Sequence, residues 1–302
     1  LFVKSAPQIC GGIRRVLGYG NYRRSSVEAP QGIAAMKHHI QHRMYHIEVL
    51  SPKQDSVKLD DDIERFATKY RQVIDAGHVV CIPDNPMGNL AFQGTELIQE
   101  LGLPVNPRQI SIHLNTFHTK ANFNWLIEAA IELGIDDILV ISGDGSERLP
   151  KLRGKDLGMT VESVTSVELL QYIHREYPNQ FRIGVAFNPY EPREHELEKM
   201  QRKVDAGAAY VTTQPVIESH PLIDKLLAFG LPTVIEAWMS KKLYLLSECV
   251  GYEIPEDTEY DPLENLKTLI SNYQGCGYYL SFLGFKTQLP VIDELWRDAV
   301  QS

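Results

Sequence analysis

No run in this 302-residue sequence approaches the roughly 20 consecutive apolar residues of a membrane-spanning helix, and no signal peptide is visible behind Leu1. Cysteine is scarce, with 4 in all. Cys10, Cys81, Cys249 and Cys276 are widely scattered, and none falls in a CxxC or Cys/His spacing. That argues against a disulfide scaffold and against a zinc centre, so no metal site is expected. A reducing cytoplasm fits such a chain best, with Cys81 read as an inert core thiol inside an apolar strand. Positive charge is the minority sign, 30 Lys and Arg against 39 Asp and Glu, for a net charge of -9. A dominant attraction to nucleic acid or to an anionic membrane is therefore not expected. The doublets Arg14-Arg15 and Arg23-Arg24 read as solvated ends or local anion contacts. The glycine-rich GxGxxG fingerprint of dinucleotide-binding folds is also missing after the first strand.

What the chain does have is one pattern repeated. Short β-rich runs are read at Tyr45–Leu50, His78–Ile82, Gln109–Leu114, Ile138–Ser142, Arg182–Phe187, Tyr210–Thr213, Thr233–Ala237 and Gly277–Phe282. Most are continuous apolar runs, as parallel strands covered by helices require. Helical patterns lie between them. In "LDDDIERFATKYRQVIDAG" the residues Ile63, Phe66, Tyr70 and Ile74 form one stripe, with acids early and Gly77 as a stop. "TKANFNWLIEAAIELGI" does the same with Phe123, Leu126, Ile127, Ala130 and Ile131. "EHELEKMQRKVDAGA" and "SHPLIDKLLAFGL" follow, each ending near a glycine. Eight strand–helix units in about 260 residues predict an α/β fold, a (β/α)8 TIM barrel over 44–302, in preference to an open doubly wound sheet. Residues 1–43 form an N-terminal extension, helical toward its end, expected to flank the bottom face of the barrel.

Chemistry in such a barrel collects at the C-terminal ends of the strands. Those ends offer Glu48, then Asp84 and Asn85, then His113, Asn115 and His118, then Asp144, Asn188, Gln214 and Glu236, with strand eight ending near Ser281. Glu48 sits between Ile47 and Val49, where desolvation would raise its pKa and suit a general acid. A structural Glu paired with Arg or Lys is the other reading. Asp144 lies between Gly143 and Gly145, accessible to the N–H edge of an aminopyrimidine, or else simply capping its own turn. Glu236 is either a second acid or a salt-bridged interior residue. His113 on its own is more often a satisfied core histidine than a ligand.

Taken in order, "HIEVLSP", "SIHL", "VISGDG", "GVAFNP" and "RKVDAGAAYVTTQPV" resemble the methylenetetrahydrofolate reductase family, whose catalytic domain is a flavin-binding TIM barrel. The likeness runs roughly from Tyr45 to Val300. Lys203–Gln214 is its most specific piece, and "PDNPMGNLAFQG" is closest to divergent bacterial members. The resemblance implies that Glu48 is the general acid, that Asp144 contacts the pterin of a tetrahydrofolate and that Gln214 hydrogen-bonds it. Asn115 and Glu236 fall on the same substrate side. His113, Ser142, Gly143, Phe187, Asn188, Arg202 and Lys203 would fall on positions facing FAD. In the family, reduced flavin converts methylene-tetrahydrofolate to 5-methyl-tetrahydrofolate.

The departures gather on the flavin side. Ser142 stands where Arg is common, and Phe187 where Tyr is. Glu196 and Lys199 replace Asp and Asn, and Trp238 is bulky where the family is glycine-rich. Lys286 is a stand-in for a substrate-binding Arg. Two functions follow: a flavin-dependent reductase of one-carbon folate metabolism, or a flavin-independent 5-methyl-tetrahydrofolate-binding or methyl-transfer protein. Either leaves open an electron-donor or methyl-acceptor protein partner and a homo-oligomer.

Overall fold

The structure is a computed structural model that describes residues 45–145 and 147–295. The N-terminal extension expected over 1–43 lies outside the described residues. Eight parallel strands close into a barrel in sequence order. They are β1 (His46–Glu48), β2 (Val79–Ile82), β3 (Ile110–Leu114), β4 (Asp137–Val140), β5 (Arg182–Phe187), β6 (Tyr210–Pro215), β7 (Thr233–Trp238) and β8 (Gly277–Ser281). The outer layer contains α1 (Leu59–Asp75), α2 (Gly94–Leu101), α3 (Lys120–Leu133), α4 (Ser166–Glu176), α5 (Arg193–Asp205), α6 (Pro221–Leu227), α7 (Leu243–Val250) and α8 (Pro262–Asn272). The expected TIM barrel is therefore the observed one. The closing contact is β1 beside β8, with His46 opposite Tyr279.

Helix ends follow local chemistry. Thr119 caps α3 by accepting from the Asn122 amide, and Thr165 with Glu168 makes a capping box on α4. The stripe expected on α1 is buried in full at Ile63, Phe66, Tyr70 and Ile74. On α3, Ile131 departs from its expected place and is exposed, because it lies at the stripe's edge in the last turn. Strand limits also shift. β1 and β4 are shorter than their apolar runs, while β6 and β7 extend through Gln214 and Trp238.

Side chains alternate between two environments, as strand geometry demands. Ile47, Val80, Ile112, Val140, Val185, Phe187 and Ile235 face the helices in one large apolar cluster. Val79, Cys81, Leu139, Tyr210, Val234 and Tyr279 fill the barrel interior. Near the bottom, at the N-terminal ends of the strands, the interior becomes polar. Asp137 accepts hydrogen bonds from Arg182 at 2.8 Å and from the Tyr210 hydroxyl at 2.6 Å. The Arg182 guanidinium lies 4.2 Å from the centre of the Tyr210 ring. Gly184 makes room for that ring, since a Cβ there would come within 2.1 Å of it. This arrangement plugs the barrel floor with its charges paired internally.

Candidate functional site

At the opposite end, β1, β8 and β7 stand side by side and each sends an acid or a phenol inward. Glu48 closes β1. Its carboxyl accepts from the Tyr279 hydroxyl and from the Phe282 amide, both at 3.3 Å. Tyr279 in turn pairs in register with Glu236 of β7. Both glutamates are partly accessible from the mouth, and neither has a cationic partner within salt-bridge distance among the described residues. Burial pushes the Glu48 carboxyl up to about 7, against the smaller pull of the Phe282 amide and the Tyr279 hydroxyl. Burial pushes Glu236 up to about 8, with Glu48 adding to the rise and Ser281 opposing it. Two carboxyls that hold protons near neutrality thus face one another across a tyrosine.

The wall behind them is apolar. Trp238 is 2% exposed and packs with Leu243, Leu246, Val250 and Ile254. Its ring lies 4.7 Å from that of Phe282. No acceptor for the indole N–H is found among the described residues. The covering helix, α7, is an insertion between β7 and β8 that the sequence reading did not single out. Trp238 therefore lines the wall beneath α7. Cys249 on α7 is close enough to Glu236, Glu48 and Asp144 that their charges join burial in pushing its thiol up to about 12.

The rim from β2 to β4 is built differently. The buried Asp84 carboxylate accepts from Asn85 at 2.9 Å, Gln93 at 3.2 Å, the Asn115 amide at 2.9 Å and His118 at 2.6 Å. Asn115 returns a bond from its side chain to the Asp84 carbonyl at 2.8 Å and accepts from the Phe117 amide at 2.7 Å. Its amide is thus engaged inside the rim. Gly143, at φ +80, sits directly against Asn115, where a Cβ would come within 2.6 Å. That close approach, in a backbone region glycine alone enters freely, sets where Asp144 stands. Asp144 is exposed, and one carboxylate oxygen accepts from the Met87 amide at 2.9 Å. Met87 is 57% exposed on left-handed backbone at φ 55, as is Asn85 at φ 46.

The third side, β5 to β6, holds the remaining expected residues. Gln214 is half-buried near the end of β6, where the register with β7 slips between Thr212 and Pro215. Asn188 donates its amide to Glu196 at 3.0 Å, and its side chain accepts from the Tyr190 amide. Ser142 is exposed, and its carbonyl accepts from the Thr116 hydroxyl at 2.7 Å. His113 points into the barrel, where burial lowers it to about 4 and keeps the imidazole neutral. Phe187 is turned away from the mouth, because alternation along β5 sends it into the helix layer.

The cations expected beside a flavin are engaged elsewhere. Glu196 is fully buried and pairs with both Lys199 and Lys203, and Lys203 also donates to the Ala186 carbonyl. Arg202 pairs with Glu168 of α4 at 3.1 Å. As folded, this set offers no free cation to the phosphates of a flavin dinucleotide, so the residues present do not fit that group. Glu48, Asp144, Gln214 and Glu236 come together around the mouth, whereas Phe187, Arg202 and Lys203 do not join them. Tyr279 and Phe282 were not anticipated. Their signal was the alternation of "GYYLSF", which turns Tyr279 inward one step below Ser281.

The family model for methylenetetrahydrofolate reductase matches residues 41–229. No curated protein sequence matches the chain. Among solved structures, an uncharacterised protein from Clostridium thermocellum that binds two copies of 5-methyl-5,6,7,8-tetrahydrofolic acid superposes with TM-score 0.55 at 12% identity, over 86% of this chain and 97% of that one. A dihydropteroate synthase from Vibrio fischeri ES114 gives TM-score 0.47 at 12% identity, over 86% and 95%. No helix among the described residues is long and apolar enough to cross a membrane. With the family model covering well over half of the sequence, the chain belongs to the methylenetetrahydrofolate reductase family.

Proposed function

We propose that the barrel mouth binds a reduced folate, with Asp144 and Gln214 taking the donor edge of the pterin and Glu48 acting as the acid on its amine nitrogens. The observation that carries this reading is Glu48 itself. It is a partly accessible carboxyl, buried enough to keep its proton near neutrality, without a cation, at the end of β1. A structural glutamate would have an ion-pair partner. A pterin is planar and rich in donors, and an exposed Asp on a glycine-flanked tip suits that edge.

The flavin-independent form of this reading is favoured by the engagement of Lys199, Lys203 and Arg202 with buried or half-buried carboxylates. Folate binding then serves methyl carriage or transfer, with a methyl-acceptor as partner. The reductive form, with FAD and an electron donor, needs those ion pairs to open.

Calorimetric titration with 5-methyl-tetrahydrofolate tests the proposal, because that ligand is the one held by the Clostridium thermocellum protein. The native protein should bind it, and Asp144→Ala should weaken binding by about 1–3 kcal/mol, the cost of a buried donor left unpaired. FAD titrated in the same way should give no binding heat. Equal affinity in the variant removes Asp144 from the site. A native protein blind to the ligand overturns folate binding altogether.

A further inference from the structure

Glu48 does not stand alone at the mouth. β1, β8 and β7 are consecutive around the barrel, and the register places His46 opposite Tyr279 and Tyr279 opposite Glu236. By alternation Glu48 lies two residues above His46 on the same inward face. Tyr279 is therefore flanked by an acid on each side, and its hydroxyl donates to one of them, Glu48. The backbone of Glu236 is fixed by donation to the Thr213 hydroxyl at 3.0 Å. Both carboxyls are partly accessible, and the Arg182 guanidinium is paired with Asp137 in the floor plug.

The groups around the two acids are few. Facing Glu48 are Tyr279 of β8, Cys81 of β2, the Phe282 amide, Cys249 of α7, Glu236 and, more distantly, Lys69 of α1. Facing Glu236 are Ser281 and Tyr279 of β8, Tyr190 after β5, Cys249 of α7 and Glu48 itself. Apart from Lys69, which is itself partly desolvated on the outer layer, none of these carries positive charge. Two close acids in a poorly solvated space without counter-ions cannot both ionise at neutral pH.

We propose that Glu48 and Glu236 act as one proton-holding pair across Tyr279: Glu48 delivers its proton to a bound ligand, and the charge this leaves on Glu48 holds the proton of Glu236 in place until Glu48 is reprotonated. In that delivery the O–H bond of Glu48 breaks and an N–H bond forms on the ligand's amine nitrogen. The charge left on Glu48 is taken up by the Tyr279 hydroxyl and the Phe282 amide. The reverse transfer restores the pair. The ligand's role here rests on the folate reading, while the pairing itself does not.

The test is a carboxyl NMR titration of the ligand-free protein, full chain, with 13C-labelled glutamate, in native form and as Glu236→Gln and Glu48→Gln. In the native protein two glutamates should titrate well above the ordinary carboxyl range. In Glu48→Gln the midpoint of Glu236 should fall by about one pH unit, the effect of removing one close like charge. Glu236 keeps its proton while Glu48 titrates, so Glu236→Gln should leave the Glu48 midpoint nearly in place. Should Glu48→Gln fail to fold, Glu48→Ala reads the same coupling. A Glu236 midpoint unmoved in Glu48→Gln, or both native midpoints in the ordinary range, overturns the pair. Since no ligand is present, a failure of folate binding leaves these midpoints unchanged and is seen separately by calorimetry.

Discussion

On the β2–β4 side of the mouth, one buried carboxylate, Asp84, accepts from Asn85, Gln93, Asn115 and His118. On the β7–β8 side, Glu236 faces no cation and is backed by Trp238, Phe282 and the inserted helix α7. Each side carries acids, yet the environments set them opposite tasks. Asp84 is surrounded by donors and holds neighbouring backbone in place, so that Asn115 presses on Gly143 and Asp144 is presented outward. Glu48 and Glu236 flank Tyr279 with no cation within salt-bridge distance among the described residues, and retain protons. One side is held by hydrogen-bond donors, and the other keeps its protons.

The largest test of that contrast is Asp84→Ala. It strips the shared acceptor from four donors, His118 among them, and should cost about 3–5 kcal/mol in a denaturant titration, the range for breaking a buried pair. A loss under about 1 kcal/mol would mean that the rim is held by packing alone. Next in size is Gly143→Ala. The positive φ and the 2.6 Å approach to Asn115 both resist a methyl group. It should destabilise by about 1–3 kcal/mol and weaken 5-methyl-tetrahydrofolate binding by displacing Asp144.

A third test reads the dependence of stability on pH. Burial raises Glu48 to about 7 and Glu236 to about 8 in the folded protein, above the 4.5 of an ordinary glutamate in the unfolded chain. A raised carboxyl contributes its stability below the unfolded value and loses it as pH rises through the folded one. Urea midpoints should therefore decline between pH 4.5 and about 8. The decline should flatten in the Glu48→Gln, Glu236→Gln double variant and persist in Asp84→Ala. A decline of equal slope in the double variant would erase the distinction between the two sides.

Much of this was legible in the sequence, for reasons that can be named. Parallel strands covered by helices are apolar throughout, so β5 stands out to the residue at Arg182–Phe187. A charged residue inside such a run, as in "HIEVL", is legible too, because only function or pairing explains it. What stayed hidden depends on partners distant in sequence. Tyr279 meets Glu48 across the barrel seam, 231 residues away. The engagement of Lys203 was nearer the surface of the sequence. Glu196, Lys199 and Lys203 stand at i, i+3 and i+7 on one face of α5, a spacing that joins them before any ligand does. Phe187 was read by resemblance, where counting alternation from the inward, small Gly184 and Ala186 would have turned it outward. α7 escaped because a single short helix inside a strand–helix unit breaks no pattern.

The floor plug of Asp137, Arg182 and Tyr210 makes the barrel a cup and not a tube. Its charges are matched within the floor, so nothing draws an ion or solvent through from below. Whatever enters over the rim must leave over the same rim. A second molecule then has to wait for the first to depart or lie on top of it, so traffic through the mouth is a matter of order of arrival.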